Sequence, residues 1–212
     1  SDDERRLLEL TARIPFDDRI NQHSTLNDLS LHLIQEHLKE LMSSLYDEST
    51  KISFADLCKH MKIAKGPDEL LRPTNAGLLM FNESPDKFFA GAKIEIVVHK
   101  GKVGKDYFEK IFTGSIVKQL RDALSFINTN IIQEQVSKYS QQAEAIRYFN
   151  YPYQAIEEAL VNAVYHRSYE RDNTVEVQIF QDRIEILSFP GPMPPVNKNM
   201  LKKESVVARE YR

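Results

Sequence analysis

Glu158, Asn162 and His166 recur every four residues in the stretch EEALVNAVYHR, residues 157 to 167. On an α-helix that spacing stacks a carboxylate, an amide and an imidazole along one stripe. Ala159, Leu160, Val161, Ala163 and Val164 fill most of the remaining surface. A carboxylate and an amide one turn apart can share a divalent cation. The amide oxygen takes the metal, and the carboxylate orients or deprotonates a water. Hard oxygen donors of this kind suit Mg2+ bridging phosphates. Glu158 is therefore the candidate general base and Asn162 the candidate Mg2+ ligand. The plainer reading is a solvated stripe or a hydrogen-bonded pair on the helix surface. His166 falls at the end of its helix, where the dipole favours a cation. Arg167 either reads a phosphate or pairs with Glu170, and the ion pair is the simpler of the two.

Two elements must position this stripe. The helix begins at Tyr151-Pro152, where proline suits a first turn. After it, TVEVQIFQDRIEILSF predicts a hairpin. Val175, Val177 and Ile179 share one face, and Ile184 and Ile186 resume the pattern after a Gln-Asp turn. PGPMPP ends it, and Gly191 there would let a ligand or a backbone come close to the same helix face.

Upstream, AKIEIVVH (92–99) alternates as a strand, KGKVGK is a turn, and YFEKIF is a second strand. Ile116, Leu120, Ala123, Leu124 and Ile127 mark a helix of about four turns. IIQEQVSKY and AEAIRYFNY are strands flanking a polar turn. Nearer the N-terminus an amphipathic helix is expected from about Ser30 to Leu45. Ser53, with Asp56 three residues on, caps a short helix running through about Met61. This pair reads as an ordinary helical pair, since no basic recognition face is visible. AKGPDELLRPTN reads as a connector, and Asn75 and Gly77 in PTNAGLL shape a turn and close helix packing. Phe88 and Phe89 read as core. Lys100, Lys102 and Lys105 read as a solvated turn rather than a phosphate grip. The expected architecture is α/β (α+β): a two-layer sandwich with helices on one face of a mainly antiparallel sheet, preceded by a helical segment. The expected domains are a helical lead-in at 1–66 and the sandwich at 67–212.

Composition narrows the function classes. A net charge of −3 over 212 residues argues against a chain coated for nucleic acid. The single cysteine, Cys58, cannot form an internal disulfide, which points to a reducing cytoplasm. No apolar run reaches the roughly 20 residues that span a bilayer, so no membrane partner is expected. The first residues, SDDERRLLEL, lack the apolar core of a signal peptide. A chain that opens without Met and stops at VVAREYR is expected to be a piece of a longer protein or a chain with its disordered ends omitted.

Three blocks in order carry a family resemblance: IPFDDRIN, then RPTNAGLLMF with KFFAGAKIEIV, then EEALVNAVYHRSY with DRIEILSFPGPMPP. Together they resemble the RecG-like, helicase-related family of transcriptional regulators. In that family a Schlafen/AlbA-type DNA-binding domain usually precedes this region, and a winged helix often follows. Neither is recognisable here, as expected of a fragment. The C-terminal part is also similar to the Bergerat ATP-binding fold of gyrase, heat-shock chaperones, histidine kinases and mismatch-repair ATPases. Its N-box helix carries Glu-x-x-x-Asn, which Glu158 and Asn162 match. By that resemblance Glu158 activates the attacking water and Asn162 coordinates Mg2+. The superfamily then has a strand ending Asp-x-Gly-x-Gly, whose Asp reads the adenine amino group. Here the strand ends Leu187-Ser188-Phe189-Pro190-Gly191, with no Asp and one Gly, and no glycine-rich lid precedes Arg212.

The resemblance thus implies a regulator fragment with a degenerate ATP-binding domain. Its nucleotide-binding candidates are Glu158, Asn162, His166, Arg167, Ser188 and Gly191, with ATP and Mg2+ as cofactors. It would couple nucleotide or dimer state to DNA bound by domains outside this chain. Two alternatives stay open: an active Mg-dependent ATPase with Glu158 as base, and a structural dimerisation module that binds no nucleotide.

Overall fold

The computed structural model describes residues 14–100, 106–137 and 146–191. The chain divides into two compact units, 1–88 with 190–212 and 89–189. The segment 67–88, grouped with the sandwich by its sequence, thus belongs to the first unit. The reason is local: Thr74 and Asn75 bond back to Ile63, Arg19 and Phe16, stitching the segment to what precedes it.

In the first unit, helix α1 (Leu31–Glu40) starts at Ser30, whose hydroxyl accepts the Leu33 N–H. The expected continuation to Leu45 does not form. The chain leaves the helix at Met42, which has φ 49°, and makes a short turn, α2 (Leu45–Glu48). Met42 N–H bonds to Lys39 O and Ser43 N–H to Leu38 O, the paired bonds of a Schellman terminus. Helix α3 (Phe54–His60) begins as expected, with Ser53 accepting the Asp56 N–H at 3.1 Å. It ends the same way as α1: Lys62 has φ 58°, with Lys62 N–H on Lys59 O and Ile63 N–H on Cys58 O. Neither terminus uses glycine, so the usual sequence signal is missing at both.

The expected connector is instead a small hairpin. Strands β1 (Ala64–Lys65) and β2 (Arg72–Pro73) pair antiparallel, and Ile20 bridges Thr74 beyond them. Helix α4 (Asn75–Phe81) follows, capped by Thr74, whose hydroxyl accepts the Gly77 N–H at 3.1 Å. A methyl group on Gly77 would stand 2.5 Å from the Ile63 carbonyl oxygen, so close packing demands glycine there. Ile34, Leu38, Leu57, Cys58, Leu78 and Phe81 are all buried in this unit.

The second unit is the α/β sandwich. Strands β3 (Ile94–His99) and β4 (Tyr107–Phe112) form an antiparallel pair. Helix α5 (Ile116–Asn130) is followed by a separate two-stranded ribbon, β5 (Glu134–Ser137) with β6 (Ile146–Phe149). Helix α6 (Tyr153–His166) has Pro152 at its N-cap. The hairpin β7 (Val175–Ile179) and β8 (Ile184–Leu187) turns where expected, with Phe180 N–H on Arg183 O at 2.9 Å. The four-stranded sheet runs β4-β3-β7-β8. It is antiparallel except where β3 meets β7, with Ile94 opposite Val175 and Ile96 opposite Val177.

Alternation gives this sheet one apolar face. Ile94, Ile96, Val175, Val177 and Ile179 bury against Ala123, Leu124 and Ile127 of α5 and against Ile156, Leu160 and Val164 of α6. Each fully buried aliphatic side chain there contributes about 1.5–3 kcal/mol. One buried polar residue is built into the layer: Gln119 of α5 donates to the carbonyls of Ala92 and Gly114 at 2.7 and 2.6 Å. No described helix is long and apolar enough to cross a membrane.

Candidate functional site

Helix α6 presents two opposite faces. Ile156, Leu160 and Val164 recur every four residues and lie against the sheet. Glu158 and Asn162 are each two residues further on, about 200° round the helix, and so point away from it. Glu158, Asn162 and His166 are all exposed. Cβ atoms one turn apart are about 5–6 Å from each other, close enough for one small ligand to touch neighbours in the stripe. His166 stands in the last turn, its ring edge-on to Tyr165 with centroids 5.2 Å apart. The open side of the helix carries apolar surface as well, with Val161 39% and Tyr165 80% exposed.

The hairpin is tied to this helix by its far end. Ser188 Oγ donates to the Ala163 carbonyl at 2.9 Å, and Ser168 N–H donates to the Phe189 carbonyl at 2.9 Å. Ser188 therefore has a bonding role already, one residue along from Asn162. Gly191 groups with the other unit. A methyl group placed on it would meet nothing within 4 Å, so no close approach explains that glycine among the described residues.

Arg167 departs most from its expected role. It is 6% exposed. Its guanidinium donates to the main-chain carbonyls of Gly91 and Asn173 and lies 4.5 Å over the Tyr169 ring. Tyr169 in turn donates to the Val164 carbonyl at 3.0 Å, satisfying the end of α6. Arg167 Nε is buried with no hydrogen-bond partner among the described residues. Burial lowers the guanidinium pKa, and Tyr169 opposes that shift. Arg167 thus acts as a brace between the start of β3 and the loop before β7. Pairing with Glu170, the simpler expectation, is replaced by two carbonyl acceptors. Gly91 is part of the same brace: a methyl there would stand 2.6 Å from Arg167 Nη2 and 2.4 Å from the Asn173 carbonyl oxygen.

Sequence reasoning missed a second cluster, on the opposite face of the sheet. His99 Nε2 lies 2.6 Å from Gln178 Oε1, and its ring stacks on Phe180 with centroids 4.5 Å apart. Arg183 covers the other part of this row, 4.1 Å over Phe180. Gln178 also donates to Glu176. The strand alternation puts His99 on this face, but only the parallel register of β3 with β7 puts Phe180 beside it. Of the three glycine-flanked lysines, Lys102 and Lys105 lie outside the described residues.

Among the described residues, no group of three His, Cys, Asp or Glu side chains could hold a metal ion. An Mg2+ at Asn162 would therefore be one carried in by phosphate oxygens and waters, the usual mode for this ion.

No family model matches the chain, and no curated protein matches it. A crystal structure of the DIP2311 protein from Corynebacterium diphtheriae is similar over 83% of this chain and 33% of that one, at 17% identity and a TM-score of 0.48. The chain spans about a third of that neighbour's length.

Proposed function

We propose that this chain is a fragment of a cytoplasmic transcriptional regulator of the RecG-like family, and that its sandwich is a degenerate ATP-binding-like unit. One observation carries the reading. Helix α6 is docked on the sheet through Ile156, Leu160 and Val164, which leaves Glu158, Asn162 and His166 aligned on its open side. A helix bearing Glu-x-x-x-Asn across such a sheet is the arrangement the Bergerat resemblance calls for.

In this reading Asn162 offers its side-chain oxygen to Mg2+ held by the phosphates of a nucleotide, and Glu158 positions a water beside it. His166 adds a donor at the end of the stripe. The chain lacks the Asp that would read an adenine amino group, and a site without that partner loses discrimination between bases. The exposed Glu158 also lacks the water-excluded surroundings that make a carboxylate an effective base. The reading is therefore of weak binding, little choice between ATP and GTP, and negligible hydrolysis. Calorimetry with Mg-ATP and Mg-GTP on the parent and on Asn162→Ala tests it: a small heat lost in the variant supports the site.

DNA recognition belongs to domains outside this chain. Support comes from the net charge of −3 and from the first unit, where two of the cations are held in ion pairs. Lys59 pairs with Asp68 and Lys65 with Asp18. Nucleotide or dimer state would then act on DNA binding at a distance. The buried free thiol of Cys58 suits a reducing compartment.

A further inference from the structure

The two edges of the four-stranded sheet are unequal. β8 is four residues long and runs into Ser188, Phe189 and Pro190. β4 is six residues long, has no proline, and pairs with β3 without a bulge from Tyr107 to Phe112. No described strand pairs with its outer side. Such an edge is a template for another strand, and proteins normally blunt or cover it. Here exposed apolar side chains, Tyr107 56%, Phe108 46% and Ile111 48%, stand among the exposed charges of Glu109 and Lys110. Lys100 N–H bonds to Asp106 O, so even-numbered residues of β4 turn their backbone groups toward β3. The N–H and C=O groups of Tyr107, Glu109 and Ile111 therefore face outward.

Beside this edge runs a groove of about 530 Å³ between β4 and α5. Phe112 and Phe126 line it, and Lys110 Nζ lies over both rings, 5.4 and 4.8 Å from their centroids. Lys118 and Asp122 on its helical wall pair with each other. Lys110 is then the groove's uncompensated charge among the described residues.

We infer that the β4 edge and its groove are the dimer interface, occupied by β4 of a second copy. Two strands related by a two-fold axis run antiparallel, and residues directly opposite point to the same face. A register centred on Glu109 opposes Glu109 to itself, and one centred on Lys110 opposes Lys110 to itself. Both set like charges face to face. Centring on Phe108 does the reverse. Phe108 meets Phe108 at the axis on the helix-bearing face. Tyr107 stands opposite Glu109, with the outward backbone groups of both paired. Asp106, exposed at the start of the strand, stands opposite Lys110, and the symmetry makes this contact twice. The partner strand thus supplies the anion that the groove lacks. The result is one continuous eight-stranded sheet built from two four-stranded ones.

This deepens the dimer part of the proposed function and is independent of nucleotide binding, which calorimetry reads separately. Sedimentation equilibrium of the whole chain tests it, with circular dichroism to verify folding of each variant. The parent is expected at twice 24.6 kDa. Lys110→Asp sets Asp against Asp106 at both contacts and should weaken the dimer about tenfold. Asp106→Lys combined with Lys110→Asp should restore it. Glu109→Pro removes an outward N–H that the monomer does not use, and should weaken the dimer while the sheet remains. A monomeric parent up to roughly 100 μM, well above the range of specific association, would overturn the inference. So would a dimer indifferent to Lys110→Asp and Glu109→Pro, or a charge swap that fails to restore association.

Discussion

Replacing Arg167 with alanine removes the brace between residues 91 and 173. Two hydrogen bonds from a charged donor are lost, together with the contact over Tyr169. Their loss is softened in two ways. The Gly91 carbonyl keeps the Lys93 N–H at 2.8 Å, and Asn173 is exposed, so water can reach its carbonyl. The desolvation cost of burying a guanidinium is also recovered. Taking about 1 kcal/mol for each hydrogen bond and 0.5–1 for the ring contact, less that recovery, leaves a net loss of about 2 kcal/mol. For a unit of this size each kcal/mol lowers the melting midpoint by about 4–8 °C, so a drop of roughly 10 °C is expected. Arg167→Lys keeps the charge but offers a point donor in place of a planar fork, and should recover less than half of the loss. Scanning calorimetry on the three proteins reads this directly. A midpoint unchanged in Arg167→Ala would refute the brace. If that variant also lost all nucleotide heat, Arg167 would return as a phosphate reader.

Three further outcomes follow from the first unit and from the charge distribution. Lys62 closes α3 with φ 58°, a conformation that costs a side-chain-bearing residue about 1 kcal/mol, so Lys62→Gly should raise stability by about 0.5–1 kcal/mol in urea unfolding. Burial pushes the Cys58 thiol up from 9.0 to about 11. An acid with a raised folded pKa stabilises the fold fully below its unfolded value and loses that contribution as pH rises. Stability should therefore fall between about pH 9 and 11 by about 2–3 kcal/mol, a slope absent in Cys58→Ala after correction for the neutral-pH difference. A duplex shift assay at physiological salt should show weak binding by this chain alone, because its net charge is −3 and counterion release needs several clustered cations together.

Much of the sandwich was legible because its elements announce themselves by period. Ile116, Leu120, Ala123, Leu124 and Ile127 give a helix at Ile116–Asn130, and the alternation of 94, 96 and 98 gives the strand at Ile94–His99. The hairpin at 175–187 turned at the expected Gln-Asp pair. What escaped was non-local or atypical. The parallel pairing of β3 with β7 joins residues some 80 positions apart, and nothing in either strand names its neighbour. Met42 and Lys62 end helices in a backbone state that sequence reading assigns to glycine. Gly66, with φ 121°, lets the presumed connector fold back as β1 and β2. At the candidate site, helical spacing alone put Glu158, Asn162 and His166 on one stripe, and the buried positions 156, 160 and 164 then fix which way it faces. At Arg167 the charge suggested an anionic partner, whereas its acceptors are two main-chain carbonyls, one of them, Gly91, far off in sequence.

The central claim is that Asn162 and Glu158 form a metal-phosphate corner on α6. Isothermal calorimetry of the whole chain with Mg-ATP and Mg-GTP, on the parent and on Asn162→Ala, tests it most directly. The account predicts weak and similar heats for the two nucleotides, removed by Asn162→Ala and by omitting Mg2+, with no phosphate released. Equal heats from Asn162→Ala and the parent would remove Asn162 from the site, and no heat with either nucleotide would contradict the nucleotide-binding reading altogether.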